Sequence, residues 1–264
     1  MTLGGDTLAM IALEAGALIM DIYATDFDVS SKDDASPVTE ADQRAETLIL
    51  KALSELAPDI PVLAEESVAA GEIPKIGDRF FLVDPLDGTK EFINKRGEFT
   101  VNIALIEHGR PVMGVVYAPA LDRLFVAESI SSAWQVTAKP GGTVPPASER
   151  APLKIRSKPE AGITAIASKS HRTPETDAFL EKFEVEEIIS AGSSLKFCLI
   201  AAGEADLYPR MGRTMEWDTG AGQAVVEAAG GRVLEEDGSP LLYGKTARGY
   251  DNPHFIVYGD VTPV

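Results

Sequence analysis

The sequence is short of cysteine, of positive charge and of long apolar runs, and each shortage excludes something. A single cysteine, Cys198, in 264 residues rules out an internal disulfide framework and any multi-cysteine metal site. Its neighbours in LKFCLIAAG are apolar, which reads as an inert core residue, not a reactive thiol. Lys and Arg number 24 against 41 Asp and Glu, a formal net charge of −17. So acidic a chain is not expected to bind nucleic acid or an anionic membrane through its general surface. If its substrate is an anion, a bound cation or a basic pocket must reverse the sign locally. No stretch approaches the ~18 apolar residues of a transmembrane helix. The opening MTLGGDTLAM carries no basic leader, so no signal peptide and a cytoplasmic location are expected. Internal repeats and low-complexity tracts are missing too. What is present, 45% hydrophobic and 25% charged residues, suits a globular chain burying a sizeable core in one large or two small domains.

Thr7 to about Tyr23 places Leu8, Ile11, Ala12, Ala15, Leu18, Ile19 and Ile22 at helical spacing, predicting an amphipathic helix. The polar stretch Asp26–Ser36 reads as a loop. Thr39 then caps a second helix with Glu40 and Asp42 in its first turn, and Pro58 ends it. Short strands are expected at Pro61–Ala64, Phe80–Val83, Thr100–Glu107, Pro111–Ala118, Leu124–Ala127 and Ala133–Val136, with a hairpin turn at His108-Gly109-Arg110. The Pro- and Gly-rich Lys139–Pro152 marks a joint. Beyond it strands and helices alternate: Ile163–Ala167, Pro174–Lys182, Glu186–Ser190, Leu195–Ala202, Ala205–Tyr208, Thr219–Ala229, Arg232–Leu234 and Phe255–Val257. The fold class is therefore α/β. An α+β metal-binding domain is expected over residues 1–150, and an α/β domain completing the site over 151–264.

The strongest local signal is FFLVDPLDGTKEF. A buried strand is expected to run out at Asp84, with Pro85, Asp87 and Gly88 forming a tight turn before Thr89 opens a helix. Two carboxylates held that closely repel unless a cation or a proton sits between them. Oxygen ligands of this kind suit Mg²⁺, and the N–H groups at the helix start offer an anion site beside it. Read alone, the motif is an Asx-turn with solvated aspartates sooner than a metal site. Two further clusters add weight. VLAEES puts Glu65 and Glu66 directly after a short apolar strand, and in MEWDTGAGQAVVEAAGG Asp218 reads as the N-cap of an alanine-rich helix. Each alone is an ordinary strand end or helix cap. Together they describe a candidate multi-carboxylate metal site.

VLAEES, DPLDGT and WDTGAG, in that order, resemble the signatures of the Mg²⁺-dependent, lithium-sensitive phosphatase superfamily of inositol monophosphatases and fructose bisphosphatases. The resemblance runs from TEAD at Thr39–Asp42 to the last helix. The longer stretches DPLDGTKEF, GSSLKFCLIAAGEADLYPR and WDTGAG are similar to its 3′(2′),5′-bisphosphate nucleotidase branch, the CysQ-like enzymes. Inositol phosphatases usually carry Thr-Asn where this chain has Lys90-Glu91. They also carry a substrate-binding Glu several residues before the final WD, where this chain reads Arg210-Met211-Gly212-Arg213. Glu216 lies too close to Asp218 to replace it.

The resemblance implies a layered αβαβα sandwich and two or three Mg²⁺ ions. It implies that Glu65 is a metal ligand, that Asp84 bridges two metals, that the Leu86 carbonyl binds one, and that Asp87 and Asp218 bind the second. Glu65, Asp87 and Asp218 thereby also meet the substrate. Asp42 and Thr89 would orient and deprotonate the attacking water, with the Gly88 and Thr89 N–H groups on the scissile phosphate. His171, Ser193, Lys196 and Arg210 match positions that hold the nucleotide and its second phosphate. The implied reaction converts adenosine 3′,5′-bisphosphate to AMP and phosphate, with the sulfated precursor as a further substrate, in sulfur assimilation or nucleotide recycling. An inositol monophosphatase or broad sugar phosphatase is the alternative. The implied partner is a small nucleotide bisphosphate, and the protein a monomer or homodimer. Attachment to the inner face of a membrane is compatible with the resemblance and disfavoured by the charge. An aspartyl-phosphate phosphatase is excluded, because its DxD spacing is absent. A non-catalytic metal-binding module would require a lost ligand or a lost Thr89, and all are present.

Overall fold

The computed structural model describes residues 2–27, 29–31, 37–167 and 173–264. In chain order the elements are α1 (Gly5–Tyr23), β1 (Val29–Ser31), β2 (Pro37–Thr39), α2 (Glu40–Leu56), β3 (Val62–Ala64), α3 (Glu65–Ala69) and β4 (Arg79–Asp87). Then follow α4 (Thr89–Ile93), β5 (Thr100–Glu107), β6 (Arg110–Ala118), β7 (Arg123–Ser129), β8 (Ser132–Thr137) and β9 (Ala151–Pro152). The remainder is β10 (Ile163–Ile166), α5 (Pro174–Leu180), β11 (Val185–Ile189), α6 (Leu195–Ala201), β12 (Leu207–Arg210), α7 (Glu216–Ala228), β13 (Arg232–Glu235) and β14 (Phe255–Tyr258).

Strands β3 to β9 form a seven-stranded sheet in sequential order, antiparallel except for the β3–β4 pair. Strands β10 to β14 form a five-stranded mixed sheet ordered β11-β10-β12-β14-β13. Side chains alternate between the two faces of a strand, and β4 shows the consequence. Phe81 and Val83 join Leu8, Ile19, Ala45 and Ile49 of α1 and α2 in one core. Phe80 and Leu82 join Trp217, Ala221 and Val225 of α7 in another, which reaches across α6 to Tyr208, Phe255 and Val257 of the second sheet. The far face of that second sheet packs on Phe179 and Leu180 of α5. The layers are therefore helix, sheet, helix, sheet, helix, the sandwich expected from the resemblance. Cys198 lies fully buried in the middle helical layer, and burial pushes its thiol pKa up, as an inert core cysteine requires.

Helix α7 belongs to the C-terminal half but covers the first sheet, so one core spans both sheets. It approaches β6 closely. A Cβ added at Gly114 would lie 2.7 Å from the Ala224 Cβ and 2.8 Å from the Ala221 carbonyl oxygen.

Three local expectations need correction. The segment expected to be a loop over Asp26–Ser36 contains β1, which pairs antiparallel with β2. A three-residue polar strand carries no alternating apolar pattern, so periodicity could not reveal it. The β4 strand does not run out at Asp84 but continues to Asp87 through a bulge. Finally, α7 starts at Glu216 after Met215, so Asp218 is the third residue of the helix and not its N-cap. Among the described residues no helix is long and apolar enough to cross a membrane.

Candidate active site

The bulge decides where the two aspartates of DPLDG point. In a regular strand residues three apart face opposite sides. Here Asp84 pairs with Asn102 and Asp87 with Thr100, so three steps on β4 match two on β5. The extra residue restores the facing, as bulges re-aim side chains near functional sites. Asp84 and Asp87 thereby both face the α6–α7 layer. Gly88 follows with φ +93, and α4 begins at Thr89. At Gly88 a Cβ would lie 2.3 Å from the Ser193 hydroxyl, so only glycine meets both the conformation and the approach.

Two other carboxylates arrive on helix N-termini by one device. Asp42 is the third residue of α2, and its Oδ2 accepts hydrogen bonds from the Thr39 N–H at 2.8 Å and the Thr39 hydroxyl at 2.7 Å. Its other oxygen, Oδ1, accepts from the Thr89 hydroxyl at 3.0 Å. Asp218 is the third residue of α7, and its Oδ2 accepts from the Met215 N–H at 2.8 Å. In both, capping fixes the carboxylate beside the positive end of a long helix. Glu65 opens α3 and is within hydrogen-bonding reach of Asp84.

The result is a crowd of acidic groups, Asp84 buried and Glu65, Asp87 and Asp218 half-buried. The Asp84 carboxyl is raised well above the usual carboxylate range, by burial first and then by Glu65, Asp87 and Asp218. Asp218 is raised in the same way, by burial and then by Asp87 and Glu65. Asp87 is pushed up to about 6 by burial, partly offset by Lys196. Burial raises Asp42 as well, against the lowering effect of its hydrogen bonds from Thr39. Among the described residues no three His, Cys, Asp or Glu side chains stand in the geometry of a formed metal centre. The donor chemistry nevertheless fits a hard divalent cation: carboxylates from Glu65, Asp84, Asp87 and Asp218, a carbonyl at Leu86, and no nitrogen or sulfur. The Asp84 Oδ1 accepts from the Leu86 N–H at 3.0 Å, and the Leu86 carbonyl lies 3.4 Å from the Thr89 hydroxyl.

One cleft is lined by Glu65, Asp87, Gly88, Thr89 and Asp218 together with Ser193, Lys196 and Arg210. Lys196 is buried on α6, and its ammonium donates to the Ser193 carbonyl at 3.0 Å. Burial, aided by Arg210, lowers its pKa to about 8 despite the nearby Asp87. Arg210 ends β12, where one guanidinium arm donates to the Arg213 carbonyl at 3.0 Å and the buried Nε has no partner. A buried donor left unpaired costs about 1–3 kcal/mol. The Ser193 hydroxyl is differently employed. Its one proton is shared between the Asp87 and Glu98 carbonyls at 2.7 and 2.9 Å, leaving none to donate to a ligand. His171 lies outside the described residues. Glu216 is fully buried and holds the Gly244 and Lys245 N–H groups, each at 2.8 Å, so it does not serve the cleft.

Sequence reasoning passed over three residues here. Glu46 accepts from the Glu66 N–H and the Ser67 N–H at 2.7 Å each, and from the Ser67 hydroxyl at 2.6 Å. It thus anchors the first turn of α3, on which Glu65 sits. Its signal was an acid one turn after Asp42 on the apolar face of α2. Asn102 and Ser194 lie between the carboxylates: the Asn102 amide donates to the Ser194 hydroxyl at 3.0 Å and to Asp87 Oδ2 at 3.5 Å. The signal for Asn102 was a polar residue inside the apolar strand TVNIALIE.

The profile of the inositol monophosphatase family matches residues 6–254. The chain is 44% identical over 254 residues to the 3′(2′),5′-bisphosphate nucleotidase CysQ of Escherichia coli (strain K12), covering 96% of this chain and 98% of that one. The crystal structure of CysQ from Bacteroides thetaiotaomicron, a bacterial member of the inositol monophosphatase family, matches with a TM-score of 0.78 at 39% identity. The match covers 97% of both chains. A Thermotoga maritima IMPase matches with a TM-score of 0.75 at 25% identity, covering 97% of this chain and 91% of that one.

Proposed function

The chain belongs to the inositol monophosphatase family, and from that premise we propose that it is a Mg²⁺-dependent 3′(2′),5′-bisphosphate nucleotidase. Its substrate is adenosine 3′,5′-bisphosphate, cleaved at the 3′-phosphate to AMP. The observation that carries this is one cleft that holds carboxylates and cations together. Glu65, Asp87 and Asp218 line it with Asp84 beside them, and Lys196 and Arg210 line it as well, close enough to act on Asp87 and Asp218. Such a cleft suits a substrate with one phosphate to be cleaved and a second to be held. The CysQ relatives, aligned over nearly the whole chain, support the same reading.

Glu65, Asp84, Asp87, Asp218 and the Leu86 carbonyl would hold two or three Mg²⁺ ions. When bound, these neutralise phosphoryl charge, acidify a water and stabilise the leaving alkoxide. The chain's own groups do the rest. The Thr89 hydroxyl donates to Asp42 Oδ1, so its oxygen lone pairs remain to accept a hydrogen bond from the attacking water. As that water loses its proton to Thr89, the Thr89 proton passes to Asp42. Burial raises the Asp42 pKa, which makes it a stronger base than an exposed aspartate. The Gly88 and Thr89 N–H groups at the start of α4 meet the scissile phosphate. Lys196 and Arg210 take the 5′-phosphate, locally reversing the −17 charge of the chain.

The test is phosphate release with Mg²⁺ from a panel of nucleotide bisphosphates, nucleoside monophosphates, inositol phosphates and sugar phosphates. Preference for adenosine 3′,5′-bisphosphate is expected. Equal or faster release from inositol phosphate would overturn the nucleotidase reading and leave a phosphatase of the same family.

A further inference from the structure

Asp87 ends a strand of the first sheet and Asp218 lies on α7, yet both are tied to one pair of residues. Asp87 accepts hydrogen bonds from the Ser194 N–H and the Asn102 amide. The Ser194 hydroxyl accepts from Asn102 at 3.0 Å and donates to the Asp218 carbonyl at 2.7 Å. A continuous path of hydrogen bonds therefore runs from the Asp87 carboxylate through Asn102 and Ser194 to the backbone of Asp218. Both linking residues are buried, Asn102 to 1% exposure, so water does not compete for these bonds.

The amide orientation follows from its neighbours. Turned the other way, the Asn102 oxygen would face the Asp87 carboxylate, and the Ser194 proton is already given to Asp218. With the NH₂ facing these two groups, the Asn102 Oδ1 has no partner and is buried. An unpaired buried acceptor weakens a fold. The value of the amide at this position therefore lies in its donor side, where it orders Asp87 and Ser194, and not in general stability.

We propose that Asn102 and Ser194 are positioning residues, which hold Asp87 and Asp218 at the separation a shared divalent cation requires. The inference rests on the reading of those two aspartates as metal ligands. Groups that orient ligands without touching the ion typically change metal affinity by about 10–100-fold when removed. Asn102→Leu keeps the number and branching of the side-chain heavy atoms while deleting the donors, and Ser194→Ala deletes the hydroxyl while keeping the backbone N–H.

Titration calorimetry with Mg²⁺ alone, on the full chain, reads the effect directly, with thermal melting in EDTA as the measure of stability. Both variants are expected to bind Mg²⁺ about 10-fold or more weakly. Asn102→Leu is expected to keep its metal-free Tm, and saturating Mg²⁺ to restore most of kcat. The double variant is expected to be no weaker than the weaker single one, because both changes break the same path. A fall in Tm with unchanged Mg²⁺ affinity would make the residues structural and overturn the proposal. So would additive losses in the double variant. If Asn102→Leu does not fold, Ser194→Ala decides by the same criterion. Absence of Mg²⁺ binding by the unmodified protein would instead overturn the metal reading and this inference with it, an outcome distinct from unmodified and variant proteins binding alike.

Discussion

The Thr89 hydroxyl, on the short helix after the DPLDG bulge, donates a 3.0 Å hydrogen bond to Oδ1 of Asp42, 47 positions earlier in the chain. The other oxygen of that carboxylate is held by Thr39 at the start of α2. One aspartate thus caps a helix with one oxygen and serves the cleft with the other.

If this pair relays the proton from the attacking water, Asp42→Asn and Thr89→Ala should each lower kcat by about 10²–10⁴-fold. Mg²⁺ binding measured by calorimetry should change little, because neither residue is among the proposed ligands. Near-normal kcat in either variant would remove the pair from the chemistry.

Asp84 is the most crowded of the carboxylates, facing Glu65, Asp87 and Asp218. Asp84→Asn keeps the shape and removes the charge, and should abolish phosphate release at every Mg²⁺ concentration. EDTA should have the same effect on the unmodified protein, reversibly. Lithium should inhibit where sodium does not. Wild-type turnover by Asp84→Asn at saturating Mg²⁺ would count against the site.

If Lys196 and Arg210 hold the 5′-phosphate, they act away from the bond to be broken, and their loss should weaken binding and leave the chemistry. A charge-assisted contact is worth roughly 1.5–3 kcal/mol, or about 10- to 150-fold in KM. Lys196→Ala and Arg210→Ala should show that rise for adenosine 3′,5′-bisphosphate but not for a monophosphate lacking the 5′ group. The Lys196 contribution also has a pH limit. Burial and Arg210 hold its pKa down to about 8, with Asp87, Glu91 and Glu98 opposing. It is charged below that value and neutral above, so the preference for the bisphosphate should fade as pH rises through 8. Lys196→Arg should remove that limb. Equal losses on both substrates would make the two residues structural.

Gly114→Ala tests the packing that joins the two sheet layers. Its Cβ would meet the α7 backbone at Ala221, which cannot yield as a side-chain tip would. Overpacking of this kind costs on the order of 1–3 kcal/mol, read as a fall in Tm of roughly 2–12 °C. An unchanged Tm would show that α7 shifts freely over the first sheet.

Much of the fold was legible because its signals are local. The apolar faces of α1 and α2 and the buried run of β4 are written in residue spacing, and the Thr39 cap with Asp42 three residues later is a signature within one turn. The alternation of strands and helices after residue 150 matched the second sheet and its helices. The bulge in β4 was not legible, since DPLDG reads as well as a turn. Its register depends on Thr100 and Asn102 of the neighbouring strand. Ser193 looked like a ligand contact in the sequence, whereas its hydroxyl proton is committed to two carbonyls of the other half.

By itself the sequence determined the acidic surface, the inert Cys198, the helices and strands, and three acidic motifs that resemble one phosphatase family. Tertiary structure alone decided that Glu65, Asp84, Asp87 and Asp218 meet at one cleft, that Glu46 braces the first of them, and that Asn102 and Ser194 link the last two. The reason is physical. Periodicity and capping act over a turn of helix or a few residues of strand. The meeting of groups more than a hundred residues apart is set by sheet register and by how closely α7 packs on β6, quantities that no local pattern carries.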